Sequence, residues 1–169
     1  MRELIKNALR QWLVDNPRTK GAITCNTELT AVHMDKFGNE IERRTVRDRK
    51  VTTAFAYELV DVLKGTSGKF DLYKWHGSGT STGAESTSST ALGAQTRRDL
   101  GTQTEGASSN AYVSVATSTY AATASIVEHG LFNSSSGGTL MDRTLFAVIN
   151  AASGDKVQWT FTLTITPGG

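Results

Sequence analysis

Lys156-Val157-Gln158-Trp159-Thr160-Phe161-Thr162-Leu163-Thr164-Ile165-Thr166 is the stretch that decides the fold. Val157, Trp159, Phe161, Leu163 and Ile165 share one parity, while Gln158, Thr160, Thr162, Thr164 and Thr166 share the other. Successive side chains of a strand point to opposite faces, so this pattern predicts a strand with one buried and one wet face. Pro167 closes it. Three further strands are expected over residues 111–123, 124–132 and 139–150, separated by the turn residues Ser134-Ser135-Ser136-Gly137-Gly138 and Ala152-Ser153-Gly154-Asp155. Short strands divided by Gly/Ser turns predict a mainly β protein, an antiparallel β-sandwich of jelly-roll-like type.

Toward the N-terminus the periodicity changes several times. Residues 28–35 and 40–47 read as the arms of a hairpin turning at Lys36-Phe37-Gly38-Asn39. Val51, Phe55, Leu59, Val62 and Leu63 fit a helix over 51–64, with Thr52 or Thr53 as its cap and Gly65 just past its end. Phe70-Asp71-Leu72-Tyr73-Lys74-Trp75 reads as a strand. Residues 77–110 are rich in Gly, Ser and Thr with few apolar anchors, Leu92 and Leu100 among them, and are expected to form a long loop arm. A second short helix is expected over 3–14, where Leu4, Ile5, Ala8, Leu9, Trp12 and Leu13 fall on one face before Asn16-Pro17 stops it. Two uses fit that face, docking on a partner or packing on its own domain. The organisation is therefore an N-terminal helix and linker over 1–20, followed by a single sandwich domain over 21–169 that includes the arm.

Composition sets the class. The chain has 169 residues, with 18 Lys+Arg against 16 Asp+Glu and a formal net charge of +2. That length encloses one real core, and near-neutrality argues against a polybasic binder of nucleic acid. A single cysteine, Cys25, excludes a disulfide scaffold. No apolar run approaches the roughly 20 residues that cross a bilayer, so no membrane partner is expected. Residues 1–14 lack the apolar region and cleavage site of a secretion signal, which predicts a protein made in the cytoplasm.

No catalytic constellation stands out. His33, His76 and His129 are far apart with no metal-ligand spacing, so neither metal nor cofactor is expected. Cys25 has no recognisable orienting partner and reads as a packed free thiol. Gly77-Ser78-Gly79-Thr80-Ser81-Thr82-Gly83 lacks the lysine of a phosphate-binding loop. Asp142-Arg143 and Glu128-His129 read as turn-stabilising pairs, and His33 as an exposed or partly packed strand residue. Arg43, Arg44 and Arg47 form a basic stretch diluted by Glu42 and Asp48, suited to an acidic protein surface or to solvent rather than to phosphates.

Larger motifs carry a resemblance. Tyr73-Lys74-Trp75-His76-Gly77-Ser78-Gly79-Thr80, then Ala91-Leu92 and Gly101-Thr102-Gln103, is similar to a recurring pattern in tailed-bacteriophage virion structural proteins. So is the run from Ile126-Val127-Glu128-His129-Gly130-Leu131-Phe132 through Gly138-Thr139-Leu140-Met141-Asp142-Arg143 and Phe146-Ala147-Val148-Ile149-Asn150 to Ser153-Gly154-Asp155. Val51-Thr52-Thr53-Ala54-Phe55 fits the same pattern, and the resemblance covers roughly residues 45–169. It implies a non-enzymatic virion protein, most like a capsid decoration or cement protein that binds the outer surface of the head and stabilises it. The partners it implies are the major capsid protein and neighbouring copies of the same chain. Leu9, Trp12, Arg43, Arg44 and Arg47 are the contact residues expected. A tail- or baseplate-associated adaptor or fibre protein and a carbohydrate-binding module are the alternatives, the latter requiring Tyr73, Trp75 or Trp159 to form an exposed platform.

Overall fold

The computed structural model describes residues 23–66 and 72–167. The helix expected over 3–14, with Leu9 and Trp12, lies outside the described residues, as do Phe70 and Asp71. Among the described residues, ten strands and one helix follow in the order β1 (Ile23–Met34), β2 (Glu40–Arg47), β3 (Lys50–Val51), α1 (Thr53–Leu63), β4 (Trp75–Gly79), β5 (Gln95–Leu100), β6 (Thr102–Glu105), β7 (Ala111–Thr119), β8 (Ala124–Phe132), β9 (Leu140–Ala151) and β10 (Lys156–Pro167). They form two five-stranded sheets, β2-β1-β10-β7-β6 and β3-β9-β8-β4-β5, in which every pairing is antiparallel.

The alternation of β10 is realised from Val157 to Leu163, while Ile165 is only half-buried. Val157, Trp159, Phe161 and Leu163 are buried, and Gln158 is exposed. Those four side chains meet Leu29 and Ala31 from β1 and Ile126, Leu131, Met141 and Ile149 from the second sheet in one core. β10 is the central strand of its sheet, flanked by β1 and β7 along nearly its whole length. The hairpin β1–β2 also forms as expected, its turn held by the Asp35 carboxylate, which accepts from the backbone N–H of Phe37 and Asn39. α1 begins where the Thr52 hydroxyl accepts from the Phe55 N–H at 3.1 Å, an N-cap. It ends at Gly65, whose φ of +71° is open to glycine at little cost.

Two expectations are corrected here. The strand read over 70–75 begins only at Trp75 and runs on through His76 and Gly77-Ser78-Gly79, the last three read as loop. The arm read over 77–110 contains the end of β4 and all of β5 and β6, leaving 80–94, Gly101 and 106–110 without regular structure. The composition misled because the small residues serve a packing purpose. Within β4, His76 and Ser78 point into the space between the sheets, whereas Gly77 and Gly79 face outward with Gly130 of β8 beside Gly77. Loop 80–94 lies on this glycine floor. A Cβ on Gly79 would stand 2.5 Å from the Ala94 carbonyl oxygen, and one on Gly130 2.9 Å from Leu92. Leu92 fills the floor with Phe132 and Leu140, with Trp75 packed alongside.

The chain passes between the sheets at both lateral edges. β2 and β3 are edge strands of different sheets, joined through Asp48-Arg49, with Asp48 at φ +54°. β5 and β6 are the opposite edges, joined through Gly101 alone. A Cβ on Gly101 would lie 2.6 Å from the Val115 carbonyl oxygen, so that corner requires glycine.

These contacts set an expected outcome. Gly79→Ala forces loop 80–94 off the sheet against an unyielding carbonyl and costs about 1–3 kcal/mol in urea unfolding. Gly83→Ala, whose Cβ meets only the Ser81 hydroxyl at 3.4 Å, leaves the midpoint nearly unchanged. Equal midpoints would show that the loop does not rest on this floor.

Candidate functional site

The polar side chains collect in two places, one between the sheets and one beneath loop 80–94. Between the sheets, His76 Nδ1 lies 3.0 Å from His129 Nε2, and His76 Nε2 lies 2.8 Å from the Ser114 hydroxyl of the opposite sheet. All three are completely buried. His129 stacks against Trp159 with ring centroids 5.1 Å apart. The Trp159 indole donates to Ser118 Oγ at 2.9 Å, and Ser118 donates to Asp99 at 2.6 Å, which in turn is held by both arms of Arg97. Ser78 and Tyr120 bond across the same gap at 2.8 Å. His76 and Ser78 of β4 and Asp99 of β5 thus tie one sheet to Ser114 and Ser118 of β7 and to Tyr120 just beyond it.

Proton placement follows from hydrogen-bond arithmetic. With both rings neutral and protonated at Nε2, His129 donates to His76 and His76 donates to Ser114. The unpartnered His129 Nδ1 is then a bare lone pair. The reverse arrangement would strand a buried N–H, the costlier defect. Burial holds His76 down to about 3, and burial followed by the neighbouring His76 holds His129 well below the ordinary imidazole value. The fold therefore favours neutral rings, and their contribution to stability is full above pH ~6.5 and lost as pH falls toward 3. A Ser–His–His chain resembles a nucleophile relay in its distances, but with all three groups sealed from solvent it acts as a cross-tie.

Beneath loop 80–94 sits Glu128, with no exposed surface. Its carboxylate accepts from the backbone N–H of Ser81 (3.2 Å), Gly93 (3.0 Å) and Ala94 (2.8 Å), which fastens both ends of the loop. Arg143 of β9 donates to it from Nε at 2.9 Å, with Nη2 in ion-pair contact at 2.8 Å, and donates from Nη1 to the Ala84 carbonyl. Glu85 reaches from the loop to the Leu145 N–H at 2.5 Å. Neither Glu128 nor Arg143 stabilises a turn, as expected from sequence; they hold a loop against a sheet. Asp142, fully buried beside Thr144 (2.7 Å), is pushed up to about 7, chiefly by burial.

The remaining residues singled out from sequence fall as follows. His33, read as exposed or partly packed, is buried, 2.9 Å from Asp155 at the β9–β10 turn. Cys25 is a free, half-buried thiol whose pKa is raised by burial, which disfavours the thiolate. Arg43 and Arg47 stand exposed on β2, paired with Glu40 (2.8 Å) and Glu28 (2.5 Å). Arg44 lies in register with Ala31 on the opposite parity, half-buried and bonded to Glu42. The three arginines therefore do not form one patch. Tyr73 and Trp159 are completely buried and Trp75 half-buried, so these aromatics make no exposed platform. Sequence reasoning missed the His76–His129–Ser114 tie and the Glu128 clamp, since long-range pairing alone brings these residues together. The alternation His-x-Ser in Trp75–Gly79 was the available signal.

Among the described residues no group of three or more His, Cys, Asp or Glu is arranged to hold a metal ion, and no helix is long and apolar enough to cross a membrane. No protein-family profile, curated protein or solved structure matches this chain.

Two outcomes follow from the buried charges. Glu128→Gln leaves Arg143 without its counter-charge and costs about 3–5 kcal/mol, with hydrogen exchange accelerating first across 80–94; uniform acceleration over the whole chain would refute the local clamp. Asp142 favours its protonated form in the fold, so its contribution is lost as pH rises through 7. The stability of Asp142→Asn relative to the parent therefore grows between pH 5 and pH 8, by on the order of 2 kcal/mol in urea titrations; a pH-independent difference would contradict this.

Proposed function

We propose that this chain is a non-enzymatic structural protein of a tailed-bacteriophage virion that binds the outer capsid surface and stabilises the head, a decoration or cement protein. In this reading its two-sheet body is a jelly-roll-like sandwich, and it works by occupying a surface. Its partners are the major capsid protein and neighbouring copies of itself. The observation that carries the reading is the disposition of its reactive side chains. The His76–His129 pair, Asp142, Glu128 and Arg143 are all buried, and the charged groups left to solvent on β2, Arg43 and Arg47, are paired with glutamates. The sequence motifs that resemble virion proteins coincide with this internal framework: Trp75–Gly79 and Ala124–Phe132 supply the buried histidines and the glycine floor.

Contact with the capsid is assigned to the exposed outer row of β2, Arg43 and Arg47, whose side chains are 54% and 65% exposed. Arg44, being half-buried and turned to the other side, is left out of that contact. Arg43 and Arg47 are already paired with glutamates on the same sheet, so their role is to steer and orient more than to supply affinity.

Electron microscopy of particles made with and without this gene product is the deciding experiment. Density lost from the head supports the reading, density lost from the tail or baseplate replaces it with the adaptor reading, and unchanged particles refute both. On heads, Arg43→Ala with Arg47→Ala is expected to lower occupancy severalfold at low salt, the deficit shrinking as salt screens the charges. Unchanged occupancy at every salt concentration would remove this edge from the contact.

A further inference from the structure

Opposite ends of the molecule carry complementary features. At one end the interior parity of β10 runs on to Ile165 and that of β7 begins at Tyr112, and both side chains pack against the core while remaining partly exposed. With Ala111, Pro167 and Glu105 they line an open groove of about 750 Å³. The groove is shaped in advance, because the Tyr112 hydroxyl accepts from Gln103 Nε2 at 2.8 Å and donates to the Tyr73 carbonyl. Glu105 is the one charged residue lining it, and it has no ion-pair partner among the described residues.

At the other end is the β1–β2 turn. β1 starts at Ile23, paired with Pro167 of the groove, and its 12 residues, roughly 36 Å of strand, deliver the chain to that turn. Phe37 stands at the tip, 79% exposed. The tip is fixed, since the Asp35 carboxylate accepts from the backbone N–H of Phe37 and Asn39 and from the Asn39 side-chain amide, and Gly38 takes φ +95°. The Lys36 ammonium lies 5.0 Å from the Phe37 ring centroid, with no carboxylate paired to it among the described residues. One end thus offers an aromatic knob beside an ammonium, the other an apolar groove beside a carboxylate.

Complementarity between two different patches joins copies head to tail, and a knob already held in shape loses little entropy on seating. We propose that Phe37 of one copy seats in the Tyr112–Ile165 groove of the next, with Lys36 against Glu105, so that copies join end to end along the β1 direction. The turn covers far less than the roughly 800 Å² per partner of a stable complex, so the contact is weak in dilute solution and takes hold where copies are crowded on a surface. This rests on the reading in which neighbouring copies are partners. It is tested on the purified chain, so its failure is separate from the fate of density on particles.

Sedimentation equilibrium of the full chain from about 10 μM to about 1 mM reads the association. The average mass of the parent is expected to rise with concentration, and Phe37→Asp, on an exposed residue, to weaken association at least about tenfold. A parent that stays monomeric, or a variant that associates like it, overturns the proposal. Lys36→Glu and Glu105→Lys are each expected to weaken association about threefold at low salt and together to restore it; no recovery overturns the pairing. Glu105→Lys with Pro167→Arg, both at exposed positions, is expected to disable the groove but leave the knob. Mixed with Phe37→Asp chains, whose groove is intact, these chains are expected to associate as tightly as the parent but to stop at pairs. A mixture no tighter than its components overturns the head-to-tail contact.

Discussion

A single carboxylate sets the architecture of one whole side of this protein. Glu128 projects from the outer face of its sheet, where water would normally meet it, yet it has no exposed surface. Its hydration is replaced by three backbone N–H groups and by the Arg143 guanidinium. Burying a charge is costly unless it is paired and fully hydrogen-bonded, and only the backbone of loop 80–94 can supply the remaining donors. The loop therefore lies where the carboxylate needs it, and the glycine floor follows, because Gly79 and Gly130 let main chain and Leu92 come close. A segment with scarcely any apolar content thus holds one conformation, through polar bonding in place of a core.

The space between the sheets obeys the same rule in a milder form. Trp159, Phe161, Ile126 and Ile149 supply apolar burial, while His76, Ser78, Ser114, Ser118 and Tyr120 supply direction. Apolar contacts tolerate sliding, whereas hydrogen bonds of 2.6–2.8 Å from His76, Ser78 and Asp99 to Ser114, Tyr120 and Ser118 across the gap fix the offset of one sheet against the other. Every buried donor in the chain from Trp159 through Ser118 to Asp99 finds an acceptor, so the ties add specificity with little desolvation cost.

What was legible from sequence follows from where the information lay. The alternation of β10, the hairpin turn and the cap of α1 are local patterns, and all three are present. The strands within 77–110 were missed because Gly, Ser and Thr report flexibility only when nothing presses on them. In β4 they are small for a reason of fit, which appears only when Leu92 and Ala94 are placed above them. Glu128 and Arg143 were each read with a sequence neighbour, His129 and Asp142, as turn-stabilising pairs, whereas they bond each other and their role as a clamp depends on loop residues some 35 to 60 positions away along the chain. Arg43, Arg44 and Arg47 read as one basic cluster in sequence. Strand geometry divides them, since neighbours in a strand face opposite ways.

The two corners, at Asp48-Arg49 and at Gly101, have a further consequence. Open sheets terminate in rows of unpaired amides that recruit foreign strands. Here each lateral border is a place where the polypeptide folds round from one layer to the other, and β3 and β6 are only two and four residues long. β2, the longest border, carries two glutamates and three arginines among its eight residues. Copies crowded at high local concentration would find few templates for main-chain annealing, so any ordered array they build must be joined through side-chain faces, and such an array can come apart without unravelling its members.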